Sequence, residues 1–291
     1  MIKLKARKKL MTANGLLDFD VDLNIEPGEF VTLFGRSGCG KTTILRMLAG
    51  LTPPDEGFIS VNGRVWFDSS GKINLPARKR AVGFVFQEHS LFPNMTVRQN
   101  LEFALEDKKD ESRVDELLEM AHITELADRR PGQLSGGQRQ RAALIRALLR
   151  KAEVYLLDEP LASLDQKMRL KLQDEIIRLY RDNGVSTVFV SHDLAEVYKM
   201  TGRVCVIEDG KIIKNGTPAE IFTDGRLSGK FNFPGEIVEI KKDQGANILT
   251  VLVGNNPVKV VALDEEIKGL SIGSKIIVAS KAFNPVIMRI S

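Results

Sequence analysis

Apolar and polar residues alternate from Ile2 to Ala6 and again through Leu17, Phe19, Val21, Leu23 and Ile25, the period of strands with one buried face. A turn at Glu26-Pro27-Gly28-Glu29 leads into the unbroken apolar run Phe30–Phe34, which predicts a strand buried on both faces. Residues 44–50 have helical spacing and end on a glycine. Pro53-Pro54-Asp55-Glu56-Gly57 is a turn, residues 58–65 read as a hairpin about Asn62-Gly63, and residues 82–87 read as another strand, closed by polar Gln87.

Past Gln87 the period becomes helical. Residues 97–105, 114–121 (with Leu117 and Leu118 at core spacing) and 139–150 predict an inserted helical subdomain over about residues 88–150. The charged stretch 106–113 between them reads as a solvated loop or helix start. From Val154 the chain alternates strand (154–159), helix (166–182), strand (187–191), helix (Leu194–Met200), two closing strands (204–208 and 211–215) and a last helix from Pro218. This order predicts an α/β domain with a parallel core sheet over residues 1–225. A Gly-rich polar linker is expected at 226–234, then five short β-rich runs in 235–291 that predict a small OB-like β-barrel.

The chain's 291 residues accommodate one large and one small domain, and 43% hydrophobic with 27% charged residues is an ordinary globular balance. A net charge of +4 with interleaved signs does not argue for nucleic acid as a partner. The basic cluster Lys3, Lys5, Arg7, Lys8 and Lys9 alternates with apolar residues and reads as the solvated face of a first strand. Two distant cysteines, Cys39 and Cys205, suit a reducing compartment and offer no disulfide framework. No run approaches the roughly 18 apolar residues that span a bilayer, and the basic N-terminus lacks a signal-peptide apolar region, so a cytoplasmic location is expected, with any membrane link through a partner.

Between the first buried strand and the helix lies Gly35-Arg36-Ser37-Gly38-Cys39-Gly40-Lys41-Thr42-Thr43. Strand, glycine-rich loop and helix in this order make a phosphate cradle: the glycines let successive N–H groups point inward, and the helix N-terminus adds about half a positive charge. Lys41 is expected on the β and γ phosphates, and the Thr42 hydroxyl on Mg²⁺. Asp158, at the carboxyl end of an apolar strand, is the expected Mg²⁺-side carboxylate, and Glu159 the general base that holds the attacking water. Gln87 and His192 end neighbouring strands. Gln87 is placed to touch metal or water, and His192 to donate to the γ-phosphate. His89 and His122 have no such placement. Ser135 reads as the N-cap of the helix after Gly132-Gln133-Leu134.

Leu134-Ser135-Gly136-Gly137-Gln138, with the loop, Gln87, Leu157-Asp158-Glu159-Pro160, Ser163-Leu164-Asp165 and His192, resembles the nucleotide-binding subunit of ATP-binding-cassette (ABC) transporters, motif by motif and in order. The resemblance covers about residues 1–225. It implies a P-loop ABC domain that hydrolyses ATP with Mg²⁺. It makes Ser135, Gly136, Gly137 and Gln138 the signature that binds the γ-phosphate held by the loop of a second copy, in a homodimer that sandwiches two ATPs with Asp165 near the interface. It also implies integral membrane permease subunits docked near residues 87–92, a periplasmic or extracellular solute-binding protein reached through them, and a place on the inner face of the membrane. Leu91 and Phe92 read equally as subdomain core.

Within that family, Leu75-Pro76-Ala77-Arg78-Lys79-Arg80 and Val85-Phe86-Gln87-Glu88-His89-Ser90-Leu91-Phe92-Pro93 resemble oxyanion importers. Gly235-Glu236-Ile237-Val238-Glu239-Ile240 and Gly273 to Phe283 resemble the molybdate-binding (Mop/TOBE-type) barrel that closes molybdate importer ATPases. Molybdate is the cargo this implies, with tungstate or sulfate as alternatives. Ser280 and Lys281 are candidates for holding an oxyanion, against a barrel that only stabilises the dimer. The family's adenine-stacking aromatic has no counterpart between Lys5 and Leu17, which leaves Phe19 or an arginine to substitute. The competing classes are a soluble ABC ATPase outside transport and an importer of another solute. The stretch between loop and signature is too short for the coiled coil of repair ATPases, and there is one cassette where translation members carry two.

Overall fold

The two alternating stretches form β1 (Ile2–Thr12) and β2 (Gly15–Ile25), paired antiparallel along their whole length. Ile2, Leu4, Ala6, Phe19, Val21, Leu23 and Ile25 are buried. On the outer face Lys3, Lys5, Arg7 and Lys9 stand opposite Asn24, Asp22, Asp20 and Asp18. The basic run is thus matched almost position by position by carboxylates, a solvated face of balanced charge. The computed structural model describes every residue except 13–14, 87–90, 106–109, 223–230, 244–245, 255, 263, 265–266 and 281–291.

The apolar run becomes β3 (Phe30–Phe34), followed by α1 (Lys41–Ala49). Then come β4 (Glu56–Val61), β5 (Arg64–Asp68) and β6 (Ile73–Asn74), which extend the antiparallel sheet in the order β2-β1-β4-β5-β6. Asn62 and Gly63 turn the β4–β5 hairpin with φ of 50° and 80°, as the dipeptide predicts. After β7 (Val82–Val85) come α2 (Val97–Glu102), α3 (Glu111–Met120) and α4 (Gly136–Leu149). The α/β alternation follows with β8 (Val154–Asp158), α5 (Gln166–Asn183), β9 (Ser186–Val190), α6 (Leu194–Met200), β10 (Arg203–Glu208), β11 (Lys211–Gly216) and α7 (Pro218–Phe222).

The second sheet has the order β11-β10-β3-β9-β8-β7, parallel except at β11. One core joins the antiparallel sheet, α1 and the parallel sheet. The apolar faces of α2 and α3 pack on Ala142, Ile145 and Leu149 of α4. Leu144, Ala147 and Leu148, on another side of α4, pack with Val85, Tyr155 and Leu157 of the parallel sheet. The helix is therefore shared by two cores.

By contacts the chain divides into Met1–Ile221 and Phe222–Ser291. The second unit is an antiparallel half-barrel sheet of β12 (Phe231–Asp243), β13 (Ala246–Val253), β14 (Asn256–Ala262) and β15 (Lys275–Ser280), in the order β14-β13-β12-β15 about Ile237, Leu249, Val251 and Ala262. Strand β12 begins inside the stretch expected as linker, because residues 231–236 pair with 275–280. Among the described residues no helix is long and apolar enough to cross a membrane.

Candidate active site

The loop follows β3 at the carboxyl end of the parallel sheet, where open α/β sheets bind ligands. Gly40 is the N-cap of α1 with φ 109°, and a Cβ there would lie 2.9 Å from the ring of Phe19. Only glycine satisfies both the dihedral and the space. Lys41 is buried, its ammonium donating to the carbonyls of Gly35 (2.7 Å) and Arg36 (2.8 Å) and lying 3.8 Å from Cys39 Sγ. The loop wraps its own cation.

A cavity of about 340 Å³ is lined by Gly35, Ser37, Gly38, Gly40, Lys41, Thr42 and Thr43 together with Asp158, Glu159 and His192. Asp158 is 3% exposed. Burial pushes its carboxyl above the usual range, against a hydrogen bond from the Thr42 hydroxyl, and the neighbouring Glu159 charge pushes the same way as burial. A buried carboxylate bonded to a threonine hydroxyl beside a lysine is a hard oxygen donor pair, which fits Mg²⁺ rather than a softer metal.

Glu159 sits where β8 ends, with φ 47°. A left-handed glutamate costs about 1–3 kcal/mol and persists only where its surroundings over-determine it. Its N–H donates to the Val190 carbonyl (3.1 Å), and its own carbonyl accepts from Gln140 Nε2 (2.9 Å). One carboxylate oxygen lies 3.5 Å from His192 Nδ1. Two residues 33 positions apart in sequence thus share one end of the sheet, because β8 and β9 are parallel neighbours.

Ser135 caps α4: its hydroxyl accepts from the Gln138 N–H (3.3 Å), and the Gln138 side chain accepts from the Ser135 N–H (2.8 Å). The hydroxyl proton stays available to an anion at the helix N-terminus. None of Ser135, Gly136, Gly137, Gln138 or Asp165 lines the loop's cavity. Asp165 caps α5 by accepting from the Met168 N–H (3.0 Å).

Two features went unread in the sequence. Gln140 is buried on the apolar stripe of α4, and an amide in such a stripe signals buried partners. Arg169 joins the segment after Glu159 to the one around His192. It donates to the Leu164 carbonyl (3.1 Å) and to Asp193 (3.3 Å), and its Nε lies 3.7 Å from Glu196. Glu196 accepts from Ser191 Oγ (2.6 Å), and burial pushes its carboxyl up against that bond.

Phe19 does not replace the missing aromatic. It is 2% exposed and packs under Gly40 and Gly210, because it falls on the inward parity of β2. The cavity is lined there by Leu10, Met11 and Leu17 instead. Gln87 and Lys281 lie outside the described residues, and Ser280 is the last residue of β15. Leu91 and Phe92 border the helical core: Leu91 packs on it, while Phe92 meets Phe103 edge-on at 4.9 Å and carries Arg146 over its ring at 5.3 Å.

A buried strand-end carboxylate, a lysine-bearing glycine-rich loop and an adjacent Glu–His pair on a parallel sheet are the features of a P-loop nucleotide hydrolase. Residues 19–162 match the family model described as "ABC transporter". The chain is 42% identical to the spermidine/putrescine import ATP-binding protein PotA of Haemophilus influenzae over 256 residues, 84% of this chain and 67% of that protein. To PotA of Nitratidesulfovibrio vulgaris it is 43% identical (88% and 67% covered), and to the sulfate/thiosulfate import ATP-binding protein CysA of Synechococcus elongatus 44% (75% and 63% covered). The dimeric post-hydrolysis structure of the ATP-binding cassette MJ0796 with ADP and Pi matches with a TM-score of 0.66 at 31% identity, covering 75% of this chain and 99% of that one. The chain belongs to the ABC transporter family and is an ABC transporter ATPase.

Proposed function

We propose that this chain is the ATP-hydrolysing subunit of an ABC importer, acting as a homodimer that closes on two ATP molecules and moves membrane permease subunits docked on its helical subdomain. The observation that carries the reading is the juxtaposition of Glu159, His192, Asp158 and the loop around one cavity. The names of its relatives as import ATP-binding proteins support the direction of transport.

In this reading the loop N–H groups and Lys41 hold the triphosphate, exchanging the ammonium's bonds to Gly35 and Arg36 for phosphate oxygens. Thr42 and Asp158 hold Mg²⁺, which when bound neutralises charge on the β and γ phosphates. Glu159 takes the proton of the attacking water, and His192, whose Nδ1 lies 3.5 Å from the Glu159 carboxylate, donates to the γ-phosphate. Gln87 senses the metal or water. The signature residues Ser135, Gly136, Gly137 and Gln138 complete the site of the other copy, with Asp165 at the interface. Glu159→Gln is expected to bind ATP and dimerise while turnover falls at least about a hundredfold, read by phosphate release. Turnover near the wild-type rate sinks Glu159 as base.

For cargo, the oxyanion class has two supports, the resemblance of segments 75–80, 85–93, 235–240 and 273–283 and the kinship with a sulfate/thiosulfate importer ATPase. Molybdate rests on the tail segments alone, with Ser280 and Lys281 as its candidate contacts. A polyamine is the second reading, favoured by relatives named for spermidine and putrescine import. Uptake of labelled sulfate, molybdate and spermidine into vesicles holding the co-purifying membrane subunits decides among them.

A further inference from the structure

Gln140 lies on α4 five residues beyond the capping Ser135 and is 1% exposed. It shares the buried stripe with Ala143, Leu144 and Ala147, where an unpaired amide would forfeit its hydration for nothing. Both of its polar atoms are paired, and both partners are backbone groups of the catalytic segment. Nε2 donates to the Glu159 carbonyl at 2.9 Å, and Oε1 accepts from the Ser163 N–H at 2.8 Å. Each bond demands the same orientation of the amide, so the assignment is internally consistent. The residue it grips first is the one that stands at φ 47°.

The sheet holds Glu159 from one side, through its N–H to the Val190 carbonyl. From the other side the Ala162 N–H reaches the Glu159 carbonyl at 3.3 Å, a longer bond to that oxygen than the 2.9 Å of Gln140. We propose that Gln140 is a positioning residue for hydrolysis: its amide holds the left-handed backbone of Glu159 and ties that geometry to α4, the helix whose N-terminus Ser135 caps. An anion seated at the start of α4 is then felt at the base of the same subunit through one buried side chain. The inference rests on Glu159 being the general base.

Two full-length variants test it with Mg²⁺ and ATP. Gln140→Met has similar length and makes neither bond. Gln140→Glu keeps the acceptor for the Ser163 N–H and, ionised, has no donor for Glu159. Each is measured for kcat, for KM toward ATP and for thermal midpoint, alone and combined with Glu159→Gln. Both are expected to lower kcat at least about tenfold with KM changed less than about threefold. Either added to Glu159→Gln is expected to lower the residual turnover by less than about twofold, because a misplaced base that is already absent costs nothing more. If the Met variant melts below the assay temperature, the Glu variant carries the same cycle. A folded variant that keeps kcat within twofold overturns the proposal, as does an equal fold loss in the Glu159→Gln background. Wild-type turnover by Glu159→Gln alone overturns the base assignment instead, so the two failures are distinct.

Discussion

Lys41 and Phe19 show how differently two neighbours of the phosphate loop are set. The lysine's place follows from its position in the loop, and its ammonium is already desolvated against two carbonyls. Lys41→Ala is expected to weaken ATP binding at least about a hundredfold by calorimetric titration, since charge-assisted bonds to phosphate are the strong ones. Phe19 was open to two readings, base stacker or core, and the inward parity of β2 decides for core. Leu10, Met11 and Leu17 line the cavity, so the proposed nucleotide is expected to be held through its phosphates more than its base. GTP is therefore expected to compete within about tenfold of ATP, and Met11→Tyr to tighten ATP about tenfold, because base stacking on an aromatic is worth about 1–3 kcal/mol. A hundredfold preference of the native chain for ATP would contradict this.

Helix α1 carries the loop, and its far end is closed by Arg80, which the sequence offered only within the segment 75–80 that resembles oxyanion importers. Arg80 is 2% exposed and donates to the carbonyls of Met47 (2.7 Å) and Leu48 (2.8 Å) at the end of α1 and to Leu75 (2.9 Å), with its guanidinium 5.5 Å from the Trp66 ring. Burial pulls its pKa down to about 10, so it stays charged at neutral pH. Arg80→Met strands those carbonyls in the core and is expected to cost about 3 kcal/mol in urea unfolding. Helix α6 offers a test by pH. Burial raises Glu196 above its ordinary value of 4.5, so between that value and its raised one the folded state binds the proton more tightly than the unfolded state. The group's contribution to stability therefore falls as pH rises through that window. Glu196→Gln keeps an acceptor for Ser191, and its stability relative to the native chain is expected to rise from pH 5 to pH 7 in paired urea titrations. An unchanged difference would mean that Arg169 fully offsets the buried charge.

For the molecule as a whole, the signature contacts to the γ-phosphate proposed above come from a second copy. The solved cassette MJ0796, to which the chain is similar, is a dimer bound to ADP and Pi. Turnover per subunit is expected to fall on dilution below the dimer's dissociation constant, measured at saturating ATP. A rate independent of concentration would mean that one chain completes its own site. The half-barrel unit bears on cargo, which the uptake comparison decides.

Contiguous motifs were legible along the chain, and so were the elements that carry them. Loop, strand-end carboxylates, signature cap and hairpin turn each depend on local backbone chemistry, in which glycines, a cap and a strand terminus act within a few residues. The parallel order followed from strand and helix alternation. What could not be read were contacts set by packing between distant segments. Gln140 and Glu159 are 19 residues apart, and Arg80 and Met47 are 33. Phe19 lies beneath a loop that begins 16 positions later, where only the pairing of two sheets through α1 could bring it. A buried polar side chain must find partners, and sequence pattern announces that need; which backbone group answers it is decided when α4 is pressed between two cores and the left-handed turn at Glu159 comes within reach of its amide.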